Sequence, residues 1–552
     1  MSFTYLLAPR DWRGLLRSIL VLTLGLLGQQ WSLAGALPAP PATFESPYAA
    51  PTGRTIAVGA GGNFQAALDS AQLGDTIILQ AGATYTGPFL LPNKTTGSGW
   101  IYIQSSAYSS LPSPGTRVSP NDARNMAKIQ VPGALARGAI EAAPGAHHYR
   151  FVGLEFQPVP GQWVTNLIII GWGETSLATL PRNITFDRCF VHGDPSVGGR
   201  RGIAINGIAL AVVDSYVSDF KERGADSQGI WSFNGPGPLK IVNNYIESAG
   251  ENFLTGGADP TIVDVVPSDI EIRNNHFFKQ PVWVSQGWSI KNSFELKLGR
   301  RVLVANNRFE NNYPVSQPGF AIQITPRNEN NSAPWSVISD VSFVNNVIVN
   351  SPQGINLLGV TSNGNDTPLI NPLRMERILI RNNLILLSAA GATDGRLFQI
   401  LAGPKDVTID HNTGFSDNTA ITAENIWTYK ADNFVFTNNI VTFGVYGIIS
   451  SDGSGTNALN AQFTNWQVSK NAFIGIQAAG VNPATYPSGN FWPIDKAAVK
   501  FVGAANGDYS LAADSPYKGA GTDGQDLGAN VSAPIVLPRT TVPAAPSSIS
   551  IE

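Results

Sequence analysis

Short stretches of this chain alternate apolar and polar side chains with a period of two, a pattern that is typical of β-strands and not of helices. Three of them are "DIEIRNNHF" (269–277), "VLVANNRF" (302–309) and "DVSFVNNVI" (340–348). In each, the alternation stops at a pair of asparagines and then resumes. Asparagine tolerates left-handed backbone conformations, so the pair predicts a turn between two strands.

This unit recurs at irregular intervals of roughly 30 residues, which marks an internal repeat. A further strand precedes each unit, for instance "FELKLG" (294–299) and "FAIQIT" (320–325), with no helical pattern between them. Two or three short strands per repeat predict a parallel β-helix, in which coils stack about 4.8 Å apart and like residues form ladders. The asparagines predicted to form such a ladder are Asn244, Asn275, Asn307, Asn346, Asn383, Asn412 and Asn439.

The two ends of such a stack need covers, because they expose strand edges and apolar core. Residues 63–72 are predicted to form a short capping helix, with Asn63 as its N-cap and an apolar face that begins at Phe64. We expect this helix to be the only substantial one in the mature chain. The β-helix domain is predicted to cover residues 54–533.

The two ends of the chain differ from this domain. Residues 1–36 combine three arginines, an apolar run and a small-residue stretch, which together predict a cleaved secretory signal. The run falls short of the roughly 20 apolar residues of a membrane span. We therefore expect a secreted or periplasmic protein without a membrane anchor after cleavage. Residues 37–53 are predicted to be a linker, and the Pro-rich residues 534–552 a tail.

Composition limits what the protein can be. It has 552 residues, of which 43% are hydrophobic and 14% charged, and its formal net charge is −3. Such a chain can bury a large core and offers no broad basic surface, so we expect neither disorder nor nucleic-acid binding. The single cysteine, Cys189, has no partner for an internal disulfide, and we expect its thiol to be buried.

These motifs resemble the right-handed parallel β-helix proteins of the pectin-lyase-like superfamily. The stretch "FQAALDSAQLGDTIILQAGATYTG" is similar to their N-terminal cap and first coil, and "SPYKGAGTDGQDLGA" to the closing sequence of many secreted members. The resemblance implies an all-β, right-handed parallel β-helix. It also implies action on polysaccharides, since the superfamily includes pectate, alginate and chondroitin lyases, galacturonan hydrolases, uronate epimerases and adhesins.

The stretch "NSFELKLGRR" (292–301) concentrates charge in a chain that is otherwise sparing with it. If Phe294 and Leu296 point into the core, Glu295 and Lys297 point outward on one face of the sheet. Alignment of equivalent strands then places other residues on this face. They are Ser232 and Asn234 two coils earlier, Ala321 and Gln323 one coil later, and Asn356 one coil after that.

This predicted face suits an acidic oligosaccharide. Amide side chains can both donate and accept hydrogen bonds, and an indole ring offers a flat apolar surface to a sugar. The predicted substrate-binding residues are Asn234, Gln323, Asn356, Trp231 and Asp226. We expect the protein to bind such a polymer as a monomer.

The chemistry that fits these residues best is β-elimination at a uronic acid. A base removes the proton next to the carboxylate, and a cation stabilises the negative charge that develops. Lys297 is the predicted base, with its pKa lowered by Arg300 and Arg327. The two arginines are also predicted to hold the substrate carboxylate.

A calcium site is predicted beside this base. Glu295, Glu251 and Asp259 would supply the hard oxygen ligands that Ca²⁺ prefers. The layout of glutamate, lysine and a later arginine loosely resembles the alginate and chondroitin lyase branch of the superfamily. That branch spaces its acidic ligands and its lysine differently, and the calcium site is the feature that this difference affects most.

Two other functions stay open. Asp226, Glu251 and Asp259 would serve as the acid and base of an inverting glycoside hydrolase if they stand roughly 6.5–9.5 Å apart. The paired-Asp and Gly-His-Gly motif of the galacturonan hydrolases is not found in the sequence. The second alternative is a non-catalytic surface β-helix that binds polysaccharide, although an adhesin would be expected to carry more nearly identical repeats.

Overall fold

The structure is a computed structural model and describes residues 35–313, 316–317, 319–388 and 395–531. The predicted signal up to residue 34 and the predicted tail from residue 534 lie outside the described residues. Within the described part, one sheet of 14 strands and two of 13 strands dominate. Strands from successive coils pair in parallel, which confirms the right-handed parallel β-helix.

We number the three sheets in the order in which each coil visits them. Sheet 1 contains Thr55–Val58, Thr76–Leu79, Ile101–Ser105, His147–Val152, Arg182–Asp187, Ile208–Val213, Leu239–Val242, Ser268–Arg273, Gly299–Ala305, Ile338–Val344, Glu376–Arg381, Lys405–Asp410, Ala431–Thr437 and Phe463–Ser469. Sheet 2 contains Thr84–Thr86, Ala127–Val131, Leu154–Pro158, Phe190–His192, Tyr216–Phe220, Tyr245–Ser248, His276–Phe278, Arg308–Glu310, Val347–Ser351, Leu384–Leu387, Thr413–Phe415, Ile440–Thr442 and Ala472–Ile474. Sheet 3 contains Phe89–Leu91, Ile140–Ala142, Asn166–Ile170, Arg201–Ile205, Gln228–Ser232, Glu251–Thr255, Phe294–Leu296, Phe320–Ile324, Gln353–Leu358, Arg396–Leu401, Thr419–Glu424, Gly447–Ser450 and Gly453–Ser454.

Outside these sheets the described residues form only short elements. A two-stranded sheet pairs Phe501–Gly503 with Asp508–Leu511. The α-helices are Phe64–Ser70, Val282–Ser285 and Thr456–Gln462. Single-turn or two-turn 3-10 helices lie at Tyr108–Ser110, Pro120–Asn125, Gly133–Leu135, Leu177–Thr179, Ile426–Thr428, Pro483–Thr485, Ala497–Val499 and Ala504–Asn506.

The first helix is the predicted cap. The Asn63 side chain accepts a hydrogen bond from the Ala66 N–H at 2.9 Å, and Phe64 lies in the core. The prediction that this is the only substantial helix is wrong, because the helix near the C-terminal end, Thr456–Gln462, has the same length. That second helix packs its Leu459 into the same core and covers the other end of the stack. No helix within the described residues is long and apolar enough to cross a membrane.

A ladder of asparagine side chains runs through the turns between sheets 1 and 2. At a typical step, Asn346 Oδ1 accepts hydrogen bonds from the backbone N–H and the side-chain amide of Asn307, at 2.9 and 3.0 Å. The Asn346 amide in turn donates to Val304 O and to Asn383 Oδ1. All seven predicted ladder positions are buried and make these bonds, and Asn471 and Asn490 extend the ladder.

The first residue of each pair has the left-handed conformation that the turn needs. Its φ lies between 55° and 58° at the five positions Asn243, Asn274, Asn306, Asn345 and Asn382. Asparagine adopts this region more readily than most residues with a side chain. The pair thus divides two tasks: the first asparagine turns the chain, and the second bonds one coil to the next.

The predicted linker, residues 37–53, lies along the outer face of sheet 1. The Ala39 N–H donates to Asp340 at 3.0 Å, and the Ala42 N–H donates to Asp269 at 2.8 Å. Farther along, the Tyr102 hydroxyl donates to Ala49 O at 2.6 Å. This segment therefore crosses many coils and covers part of the sheet.

We predict that Asn346→Ala destabilises the protein strongly, because it leaves several buried backbone and amide groups of adjacent coils without partners. Each such group costs about 1–3 kcal/mol. The matched control is Asn345→Gly, since Asn345 is exposed and glycine accepts its positive φ. Chemical denaturation of both variants checks this, and an equal loss of unfolding free energy in the two would contradict the role of the ladder.

Cys189 occupies the position equivalent to the ladder asparagines, two coils before Asn244. Its backbone N–H donates to Ser215 Oγ at 3.0 Å, and the Ser215 N–H donates to Asn244 Oδ1. Its side chain is buried, as expected, and burial raises the pKa of the thiol to about 12. Because the thiolate is the reactive form, we predict slow alkylation of the native protein and fast alkylation after unfolding. Mass spectrometry over a time course measures both rates, and fast labelling of the native protein would refute the prediction.

Candidate functional site

The candidate site lies on the outer face of sheet 3. Phe294 and Leu296 are fully buried in the core, as the alternation predicts. Phe294 stacks on Phe253 of the preceding coil, with ring centroids 5.5 Å apart. Glu295, between them, points to the opposite face, and Lys297 follows at the end of the strand.

A row of polar side chains crosses consecutive coils of this face. Glu295 pairs in register with Gln323, Gln323 with Asn356, and Asn356 with Gln399. The Asn356 amide donates to Gln323 at 2.6 Å, and the Gln399 amide donates to Asn356 at 2.9 Å. The structure thus brings Gln323 and Asn356 into line with Glu295, so that the three form a hydrogen-bonding surface with Gln399.

The predicted alignment before Glu295 does not agree with the structure. Leu254 lies one coil earlier and Trp231 two coils earlier in this row, where Ser232 was expected. Ala321 is also misplaced, because it lies in the core. These errors arise because the turns differ in length, so that a strand cannot be aligned from its sequence alone.

Asn234 has no free side-chain atom to offer a sugar. It is fully buried, its amide donates to Glu174 O and Thr261 Oγ1, and its oxygen accepts from the N–H groups of Thr261 and Ile262. These bonds tie two loops together. The assignment of Asn234 to substrate binding is therefore not supported by its contacts.

Trp231 is also buried, in a small apolar cluster outside the main core. Its indole N–H donates to Gly256 O at 2.6 Å, and the Arg201 guanidinium lies 4.3 Å from the ring centroid. The neighbouring Trp172 is 39% exposed and contacts Trp231 with ring centroids 5.1 Å apart. Of the two rings, only that of Trp172 reaches the surface.

An ionised cluster adjoins this row. The Arg201 guanidinium donates to Gln228 Oε1 at 2.9 Å, and the Gln228 amide donates to Glu251 at 2.7 Å. Lys291 forms an ion pair with Asp226, and its Nζ lies 3.9 Å from Glu251 Oε1. Sequence reasoning missed Arg201, Gln228 and Lys291. Arg201, Gln228 and Glu251 are the first residues of successive sheet 3 strands, so aligning strand starts would have revealed this column.

Glu251 is the most strongly perturbed acid of the cluster. Burial raises the pKa of its carboxyl, and the negative charges of Asp226 and Glu295 raise it further. Glu295 accepts a hydrogen bond from the Asn292 amide at 2.9 Å, while the Asn292 oxygen is buried without a partner in the described structure. Two carboxylates and one amide oxygen therefore lie together in a buried setting.

Lys297 lies among acids, with its Nζ 3.6 Å from Glu329 Oε2. Burial alone would lower the pKa of its ammonium, but nearby carboxylates outweigh burial and raise the pKa above its usual value. The acids concerned are Glu295, Glu329 and Glu251. The expectation of a lowered pKa was wrong, because these carboxylates outweigh burial and Arg327, which both act in the lowering direction.

Arg327 lies beside Lys297 on the next coil, where its N–H donates to Lys297 O at 2.7 Å. Its guanidinium donates to Asn363 O at 2.9 Å and forms an ion pair with Asp366. Both partners belong to the long loop between residues 359 and 376. This loop therefore reaches the site, and its Asp366 pairs with Arg327 at the surface, with 70% side-chain exposure.

Arg300 does not belong to this site. The chain leaves sheet 3 after Leu296, and Arg300 is already in sheet 1, paired in register with Ser268 and Ser339. There it lines a separate cleft on another face of the β-helix. Arg300 therefore does not lie beside Lys297, as the predicted catalytic role required. Within these three residues the chain turns from sheet 3 into sheet 1.

Asp259 does not join Glu251 and Glu295. Its carboxylate accepts hydrogen bonds from Asn330 N, Ser332 N and Ser332 Oγ at 2.8–2.9 Å, which fixes the loop after Arg327. In the described residues no group of three or more His, Cys, Asp or Glu side chains is arranged to hold a metal ion. The predicted set of three calcium ligands is thus reduced to two carboxylates.

Comparison with known proteins leaves the reaction unspecified. No protein-family model matches the sequence, and no curated protein is significantly similar to it. Among solved structures, the PL6 family alginate lyase AlyGC is 14% identical, with 87% of this chain and 59% of that chain covered and a TM-score of 0.49. This chain therefore spans less than two thirds of the length of AlyGC.

Two other solved structures are also similar to this chain. Pectate lyase Pel9A is 14% identical, with 86% of this chain and 96% of that chain covered and a TM-score of 0.34. PfbA, a surface adhesin of Streptococcus pneumoniae, is 12% identical, with 74% of this chain and 86% of that chain covered and a TM-score of 0.36. A fold does not determine a function, so the function has to be argued from the site itself.

Proposed function

We propose that the protein is a secreted polysaccharide lyase that cleaves a uronic-acid polymer by β-elimination on the outer face of sheet 3. The observation that carries this proposal is the placement of two cations, Lys297 and Arg327, on adjacent coils beside the amide row of Gln323 and Asn356. A uronate chain crossing these coils meets hydrogen-bonding amides for its hydroxyl groups and positive charge for its carboxylate.

The two cations take different roles in this proposal. Arg327 exchanges Asp366 for the substrate carboxylate, which it binds through two parallel N–H groups. Lys297, as the amine, removes the proton from the carbon next to that carboxylate. The bond to the leaving oxygen then breaks as the carbon–carbon double bond forms, and Lys297 returns its proton to the departing oxygen.

Lys297 is held as an ammonium by the acids around it, so the base role requires that their charge be offset. Glu251, Glu295 and the amide oxygen of Asn292 have the hard oxygen atoms that suit Ca²⁺. Bound there, the ion would supply two positive charges that offset the two carboxylates, while Arg327 pairs with the substrate acid. Asp259 is not part of this proposal, because its Oδ2 holds the loop after Arg327 and its carboxylate does not join Glu251 and Glu295.

The alternative of an inverting hydrolase receives less support. It requires two carboxyl groups that reach the substrate, one of them beside a water molecule. Of the candidates, Glu251 is only 1% exposed and Asp259 only 8%, with three hydrogen bonds on its Oδ2, which leaves Asp226. A binding-only role fits the same face, and the activity assay separates it from lysis.

The lyase proposal is tested with a panel of uronate polymers and calcium, by following absorbance near 235 nm, where the unsaturated product absorbs. We predict turnover with at least one polymer, and loss of turnover in Lys297→Ala and also in Lys297→Arg, since arginine does not give up its proton readily. Arg327→Ala should mainly raise KM, because we assign it to carboxylate binding.

The control for folding is the melting temperature of each variant, because Lys297 is largely buried among carboxylates and its loss leaves them without a partner. Activities are compared at a temperature at which every variant is folded. Full activity of Lys297→Arg would show that only positive charge is needed and would remove the base role. Release of reducing sugar without absorbance at 235 nm would favour hydrolysis. If neither absorbance nor reducing sugar appears with any polymer of the panel, the enzymatic proposal is overturned. A binding role without catalysis would then remain.

A further inference from the structure

A second charged site lies on the outer face of sheet 1, around the corner from the candidate active site. It is a cleft of about 630 Å³. Five cationic side chains and two carboxylates line it, together with the apolar Leu373. The cations are Arg300, Arg301, Arg374, Arg377 and Lys405. Positive charge is therefore in excess inside the cleft.

The two carboxylates of the cleft are already engaged. Asp340 accepts hydrogen bonds from Arg377 at 2.6 and 2.8 Å and from the Ala39 N–H at 3.0 Å, and Glu376 pairs with Arg377. Arg301 is held by Asp269 through two hydrogen bonds of 2.7 Å. These pairs account for two of the five cations and leave no acid for the others.

The other three cations form no direct ion pair among the described residues, and Asp432 and Glu376 act on Arg374 only from a distance. The Arg374 guanidinium donates only to carbonyl oxygens, those of Gly403 and Lys430. The side chains of Arg300 and Lys405 make no hydrogen bond or ion pair within the part of the chain that the structure describes. A concave surface that presents three cations without a direct ion-pair partner is suited to an anionic ligand.

The spacing of these cations indicates the size of the ligand. Arg300, Ser339, Glu376 and Lys405 pair in register on four consecutive strands. Arg300 and Lys405 are thus three strand spacings apart, or about 14 Å. This backbone spacing favours an extended ligand that carries at least two negative groups, one for each cation. The exposed Leu373 beside them adds an apolar surface on which a sugar ring can rest.

We infer that this cleft binds an acidic oligosaccharide, with its carboxylate or sulfate groups at Arg300 and Lys405. The choice of a glycan rests on the proposed function, whereas the need for an extended polyanion does not. The loop between residues 359 and 376 borders both places, because Asp366 contacts Arg327 in the active site while Arg374 lines the cleft. A long polymer chain would therefore reach the cleft from the active site along this loop.

The test measures binding by calorimetry at low salt, in a Lys297→Ala background that prevents turnover. The probes are a uronate hexamer, a sulfated hexamer, a neutral hexamer and inorganic phosphate. We expect Arg300→Gln with Lys405→Gln to weaken binding of an acidic hexamer at least about tenfold. The matched control, Lys500→Gln with Lys518→Gln, removes the same charge from exposed positions elsewhere and should bind as the background does.

The two acidic probes distinguish carboxylate from sulfate as the preferred group, and tight binding of either one supports the inference. Equal affinity of the cleft and control variants would overturn it, as would equal affinity for the neutral hexamer or for phosphate. The readout is independent of catalysis. Absence of turnover in the wild-type protein would therefore count against the lyase proposal while leaving this test decisive for the cleft.

Discussion

The hydrogen bond from one asparagine to the next is the constraint on which this structure depends. A parallel β-helix needs a turn of fixed shape in every coil, because each strand must land one strand spacing from its predecessor. Three hydrogen bonds between the coils of Asn307 and Asn346 fix that position. Asn346 Oδ1 accepts from the backbone N–H and from the side-chain amide of Asn307, and the Asn346 amide donates to the carbonyl of Val304 in the preceding coil. Coils can then differ in length elsewhere, and they do so in the loops that border sheet 3.

The separation of the uniform ladder turns from the variable loops explains where functional side chains can collect. The side of each coil that carries the ladder is uniform, whereas the far side carries residues that differ from coil to coil. There the register of sheet 3 lines up Glu295, Gln323 and Asn356, and longer loops bring in Asp366 and Glu329. The rigid stack holds these groups at fixed spacing without help from a disulfide, which is what a binding surface for a regular polymer requires.

Much of the fold was predictable because its signals are local. The asparagine pairs, the alternation at Phe294 and Leu296 and the N-cap at Asn63 each depend on a few neighbouring residues. The candidate site was predictable only in part, because its members come from different coils. Arg300 lies three residues after Lys297 yet on another sheet, and the burial of Trp231 depends on loops far away in sequence. The carboxylate of Asp259 holds a loop some 70 residues later, a contact that no local pattern indicates.

If an acidic sugar binds and reacts on the outer face of sheet 3, a crystal structure of the Lys297→Ala protein with a bound uronate oligomer will show it most directly. We expect sugar rings across the row of Glu295, Gln323 and Asn356, with one carboxylate paired to Arg327 in place of Asp366. A well-defined oligomer that leaves this row empty, or that binds only through the cations of sheet 1, would contradict it.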